Sequence, residues 1–228
     1  MFKLGGIGLD YIYLLGIFLM VLLLYEGVTT AFSYAPKKIK HITIGTLILV
    51  LFRYISLFIL FINKKPLYLY LLKPIIFLEI VYLPIIGFIT IYMLYRNEKI
   101  KLNYFYSIVL IFSLFYIFVT LKSPVNTMLS DIYGYVIILR EDYGLYLILE
   151  VVNTIYLILA MKALGYKYSN KLGLALMILS ASLTVLTILI SLLGVNLFGV
   201  KILGEILWIL TLVYSLRQFK KKSIILTK

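Results

Sequence analysis

Arg53 stands near the middle of the apolar run 42–62, ITIGTLILVLFRYISLFILFI, and is the one basic residue in it. A helix of about 20 apolar residues rises ~1.5 Å per residue and crosses the ~30 Å hydrocarbon core of a bilayer, which puts this guanidinium near mid-depth. On insertion scales an arginine there costs ~2.5 to 3.5 kcal/mol, against ~0.3 to 0.6 kcal/mol returned by each Leu, Ile, Phe or Val. The chain therefore needs a partner for it, and four carboxylates fall inside apolar runs: Asp10, Glu79, Glu150 and Glu205. Each lies within the first two turns of its run. Asn153 and Thr154 follow Glu150 at three and four residues, hence on the same helix face. The expected intramembrane polar site is Arg53, Glu79, Glu150, Asn153, Glu205 and Asp10, with Glu79 the first expected partner of Arg53 and Glu150 the second. A structural account competes with it. The helix dipole and the unpaired N–H groups favour acids at a helix start, and boundary acids reach water. Asp10 and Glu205 fit that account, whereas Glu79 and Glu150 sit somewhat deeper.

Other chemistry is largely excluded by what is missing. The chain has no cysteine, so disulfides, thiolate metal sites and cysteine nucleophiles are impossible. Its only histidine, His41, stands in a basic stretch, which removes bis-histidine haem and histidine-rich metal sites. There is no H-E-x-x-H, no G-x-S-x-G and no phosphate-cradling glycine loop, and Lys201 lies at the edge of the last apolar run instead of inside it, where a retinal protein needs its lysine. The expectation is a chain without enzymatic activity or cofactor. Ser180, Thr184, Thr187 and Ser191 recur at helical spacing and read as a helix contact stripe.

The elements that must position these residues are membrane spans. With 64% hydrophobic residues, 14% charged residues and a mean hydropathy of +1.09, the 228 residues cannot cover a water-soluble globule with polar surface. The runs are continuous and apolar, unlike the short alternating segments of a membrane β-barrel, so the fold class is an all-α integral membrane protein. Seven spans are expected, at 7–25, 42–62, 74–95, 102–121, 145–161, 172–193 and 200–216, in a single domain over 1–228. Glu26 and Gly27 end the first, Leu67 to Leu72 lies at the interface, and Pro84 kinks the third by removing a backbone hydrogen bond. In the fourth, Tyr106, Ser113, Tyr116 and Thr120 mark a buried face. The segment 122–143 is too short in apolar residues to cross, and lies on the membrane or folds back into a vestibule. Spans one and three carry Asp10 and Glu79 as spans five and seven carry Glu150 and Glu205, with span four between them, a three-plus-one-plus-three plan.

Lys and Arg give the orientation. Placing the loops after spans one, three and five and the C-terminal tail in the cytoplasm collects fourteen of the 22 basic residues there and seven outside, Arg53 being the last. That bias sets the N-terminus outside and the C-terminus inside, and it accounts for the +13 charge without nucleic acid. The four acids then lie in the outer leaflet around an outward-facing acidic cavity. The expected protein is a multi-pass cell-membrane transporter of a small solute, an ion or a proton-linked substrate. The alternatives are a seven-helix sensor or receptor-like module acting through a separate cytoplasmic protein, and a non-catalytic subunit packed against a partner membrane subunit.

Overall fold

In hydrocarbon a backbone has no water to bond to, so an apolar run must close its hydrogen bonds within itself, and the apolar runs of this chain do so as helices. A computed structural model describes residues 6–63, 66–95, 102–130, 132–139, 143–193 and 198–226. Its helices are α1 (Gly6–Tyr34), α2 (Lys37–Ile62), α3 (Lys73–Ile76), α4 (Glu79–Tyr95), α5 (Tyr104–Lys122), α6 (Tyr143–Leu164), α7 (Lys171–Leu192) and α8 (Phe198–Leu226). Among the described residues, seven helices are long and apolar enough to cross a membrane. The third of these spans, Leu69–Tyr95, joins α3 and α4 to the 3-10 turns of Pro66–Leu72 that precede them.

Several helices outrun the expected bounds, α1 and α8 by the most. Glu26 and Gly27 do not end α1, which continues to Tyr34, leaving only Ala35 and Pro36 before α2. The stretch Lys37 to His41 is thus the first turn of α2 and not a loop. At the other end of the chain α8 carries the basic residues after Arg217 on helix. Both extensions lie at one end of the bundle, where Arg217 Nε donates to Glu26 Oε1 at 2.6 Å and Lys40 sits 4.9 Å from the ring centroid of Phe32.

The third span is broken. Phe77 and Leu78 leave the α-helical pattern: Ile80 N–H bonds to Phe77 O instead of Ile76 O, and Leu78 N–H to Ile75 O instead of Pro74 O. The carbonyls of Pro74 and Ile76 are thereby released from the helix ladder and are taken up by side chains, Pro74 O by the Tyr116 hydroxyl at 2.7 Å and Ile76 O by Arg53. Of the residues 67–72, expected at the interface, Leu69 to Leu72 fall within the candidate span, with Leu69 1% exposed. Pro84 stands inside α4 without ending it, and the Tyr156 hydroxyl bonds its carbonyl at 2.6 Å.

Packing places this broken span at the centre. It meets α2, α5, α6, α7 and α8, and 83% of its apolar window is buried against 6% of that of α5. The expected face on α5 is only partly buried: Ser113, Tyr116 and Thr120 are half-buried, Tyr106 is exposed, and Val119 is the one fully buried residue of the helix. In both triplets the middle span packs on its two neighbours, α2 on α1 and α4 and α7 on α6 and α8, and α1 on α8 is matched by α6 on α4, as the three-plus-one-plus-three plan expects. Outward-facing Leu15, Phe18, Leu22 and Tyr25 of α1 form a helical stripe of large apolar side chains, the surface expected of a chain whose solvent is hydrocarbon.

The segment after α5 is a β-hairpin, β1 (Val125–Ser130) antiparallel to β2 (Gly134–Leu139) with Ser130 opposite Gly134. It does not cross the bundle. Gly134 has φ 69°, and a Cβ there would stand 2.8 Å from Leu60 O, so both the turn and the close seat on α2 require glycine. Tyr133 meets Tyr13 of α1 edge-on at 5.1 Å, which fixes the hairpin over the end of the bundle formed by the C-terminus of α2.

Candidate functional site

Arg53 lies nine residues before the end of α2, about 14 Å along the helix axis at 1.5 Å per residue. The break at Phe77–Leu78 sets the start of α4 ten residues into its span, at a comparable depth, and Glu79 stands in that first turn. Glu205 comes in from α8, four residues after Lys201 and on the same face. Three helices thus deliver opposite charges to one level in the interior.

Four of the five N–H groups of the guanidinium are engaged. Its Nε donates to Ile76 O at 2.8 Å, Nη1 to the Tyr82 hydroxyl at 2.6 Å and to Glu205 Oε2, and Nη2 to Glu79 Oε2 at 2.5 Å. Glu205 Oε2 also accepts from the hydroxyls of Tyr82, at 2.7 Å, and Tyr54, at 3.1 Å. The second oxygen of Glu79 accepts from Lys201 Nζ at 2.6 Å. Arg53, Glu79 and Glu205 are at most 4% exposed, while the Lys201 side chain is 29% exposed. Two cations and two carboxylates leave the cluster formally neutral. That balance allows burial, because an ionised group alone in such surroundings is costly whereas a paired and hydrogen-bonded one is tolerated.

Of the expected site residues, the structure brings Arg53, Glu79 and Glu205 together and leaves the others aside. Glu205 departs from the boundary account that its place near a helix start suits: it is buried and holds Arg53. Glu150, the second expected partner, makes no ion pair with Arg53; it is half-buried on α6, and its Oε2 finds no hydrogen-bond partner among the described residues. Asn153 is buried but gives its amide to Leu149 O at 2.7 Å, within its own helix. Asp10 is on α1, with its side chain outside the described residues. Tyr54, Tyr82 and Lys201 are the members that sequence reasoning missed. Lys201 had a signal in its four-residue spacing to Glu205, and Tyr82 in its three-residue spacing to Glu79.

Beside the cluster lies a cavity of about 20 Å³, room for about one water molecule, between α4, α6, α7 and α8. Glu205 and Lys201 line it together with Thr184, Thr187 and Ser191 of the α7 stripe and the apolar Leu83, Leu149 and Ile188. The rest of that stripe is a helix contact, as its spacing predicts: Ser180 and Thr211 hydroxyls meet at 2.9 Å, and Trp208 Nε1 donates to Thr184 Oγ1 at 3.2 Å. Chemically, the arrangement can exchange charge partners around Arg53 and can admit one small polar species beside Glu205. No protein-family model and no curated protein matches the chain.

Proposed function

We propose that the chain is a multi-pass cell-membrane transporter of a small solute, an ion or a proton, with the Arg53 cluster as its central gate and with no enzymatic activity. The observation that carries this reading is the discontinuous third span, whose break coincides with the charges. Membrane transport proteins repeatedly use broken helices, because the half-helix ends supply unpaired backbone groups at mid-membrane. Here the released Ile76 carbonyl and the first turn of α4 both meet Arg53 or its partner. The basic bias supports an external N-terminus and a cytoplasmic C-terminus, so that the cluster faces the outer side through Lys201.

Reconstitution into liposomes tests the reading. Imposed gradients of protons, sodium and potassium should drive flux in the natural chain, and Arg53→Met with Glu205→Gln should abolish it while leaving the protein folded. Flux that survives in that variant would remove the cluster from the pathway, and no flux of any ion in the natural chain would count against ion transport altogether. A second reading, a non-catalytic subunit or sensor docked on a membrane partner, draws on the exposure of α5. In that case a lipophilic photolabel would spare α5 in native membranes and mark it in the purified chain.

A further inference from the structure

Glu205 uses only one of its two oxygens. Oε2 collects Arg53, Tyr82 and Tyr54, whereas Oε1, on a residue 3% exposed, finds no hydrogen-bond partner among the described residues. A bare carboxylate oxygen in the interior costs the full desolvation penalty of the group, so its surroundings decide what it accepts. Those surroundings are the one-water cavity, and its hydroxyl walls have already committed their hydrogens. Thr184 donates to Ser180 O, Thr187 to Thr184 O and Ser191 to Thr187 O, each at 2.8 Å. Trp208 occupies a lone pair of Thr184. What Thr187, Ser191 and Glu205 Oε1 still offer is oxygen lone pairs. That oxygen-lined part of the wall repels anions and favours a cation, while the Lys201 ammonium on the same cavity opposes one.

The donor set narrows the cation. One carboxylate oxygen and two hydroxyls fall far short of the six to eight oxygens, several of them charged, that calcium takes, and a volume for one water leaves no room for magnesium with its retained waters. Among the described residues no group of three acids or histidines could hold a metal ion. We propose that this cavity binds one small monovalent cation, sodium or hydronium, on Glu205 Oε1 and the hydroxyl oxygens of Thr187 and Ser191. Its meaning for function rests on the transport reading above, for which it names the transported or coupling species. Because the four-charge cluster is neutral, an added cation raises its charge by one, and Lys201 stands at the same cavity. Lys201 is also the partly exposed cation of the cluster, so its ammonium is the one placed to withdraw toward water as the ion arrives.

Trp208 is the only tryptophan in the chain, and its indole N–H touches a cavity-lining threonine, so it reports on the site directly. The full-length protein in detergent is titrated with sodium chloride against choline chloride at constant ionic strength, and separately with acid in sodium-free buffer, while Trp208 emission is followed. Radioactive sodium binding by equilibrium dialysis gives a readout independent of fluorescence. The groups around Glu205 in the acid titration are Tyr13 from α1, Arg53 and Tyr54 from α2, Glu79 and Tyr82 from α4 and Lys201 from α8. Saturable binding of one sodium per chain is expected, or for hydronium a proton-dependent emission change that sodium does not alter. Thr187→Val with Ser191→Ala leaves the ion pairs untouched and should weaken either response by about tenfold or more, the loss of two ligands. No saturable response to sodium or acid, or a response indifferent to that variant, overturns the proposal. Binding sensitive to the variant without any sodium or proton flux in liposomes keeps the site and removes the transport reading. Flux indifferent to the variant and without measurable binding keeps the transport reading and removes the site.

Discussion

Replacing Glu205 with glutamine removes one charge from the cluster and leaves Arg53 and Lys201 sharing the single carboxylate of Glu79. Two unit charges about 4 Å apart attract by about 4 kcal/mol at an effective dielectric of 20, and breaking a buried pair by removing one partner costs about 3 to 5 kcal/mol. Arg53→Met should cost a similar amount, since it leaves two carboxylates facing one lysine. The double variant behaves differently. With both charges gone no buried ion is left unpaired, the amide introduced by Glu205→Gln still presents an oxygen to the hydroxyls of Tyr54 and Tyr82, and the Lys201–Glu79 bridge at 2.6 Å is intact. Arg53→Met/Glu205→Gln should therefore be more stable than either single variant, with a coupling of about 3 to 5 kcal/mol. The alternative pair, Arg53→Met/Glu79→Gln, is equally neutral but severs the lysine bridge, and should lie about 1.5 to 3 kcal/mol lower, the value of one charge-assisted hydrogen bond. Reversible unfolding of the purified variants in mixed detergent micelles measures all of these. Additive single effects, or a coupling of Arg53 to Glu150 as large as to Glu205, would refute this charge balance.

Two further predictions concern packing and topology. A Cβ on Gly87 of α4 would run into the ring of Tyr156, so Gly87→Ala should lose about 1 to 3 kcal/mol from overpacking, and Tyr156→Leu in the same chain should recover part of it; equal losses with and without Tyr156→Leu would show that the contact is not what resists the methyl. Single cysteines in this cysteine-free chain should react with an impermeant reagent from outside at Ser123 and Tyr143, the two ends of the hairpin segment, and from inside at Ser169 and Ser223. Outside labelling of Ser223, or opposite sides for Ser123 and Tyr143, would overturn the orientation or the non-crossing hairpin respectively.

What the sequence made legible follows from which physical signal each feature carries. Span number and rough position were readable because hydrocarbon imposes a single length on every helix. The ends of α1 and α8 were not, because a helix that leaves the apolar layer continues as long as its polar residues find partners, and Glu26 with Arg217 are 191 positions apart. The hairpin was missed because its strands are short and its cue is local. Val136, Ile137 and Ile138 favour a strand, and Gly134 supplies the turn, but in so apolar a chain these residues also read as a truncated helix. The break at Phe77–Leu78 has no sequence cue apart from Pro74 upstream, and it is what lowers Glu79 to the depth of Arg53.

The choice between Glu150 and Glu205 shows where the remaining information lay. In water-soluble helices the polar face reveals which way a residue points, but a span is apolar on every face, so hydrophobic periodicity is flat and both acids look alike. Rotation decides between them. On α6 the buried stripe runs through Leu149, Asn153, Tyr156, Ala160 and Ala163, at alternating spacings of four and three, and Glu150 is turned about 100° away from it. On α8 the buried stripe contains Glu205 itself, followed by Trp208, Ile209, Leu212 and Leu216. On α6 the second half of the stripe is small, Ala160 and Ala163 at helix-packing spacing, which is how helices approach one another where lipid is the solvent. Arg53 accordingly takes its second carboxylate from the last helix, and Lys201 one turn earlier on that helix completes the charge balance that lets Arg53, Glu79 and Glu205 stay buried.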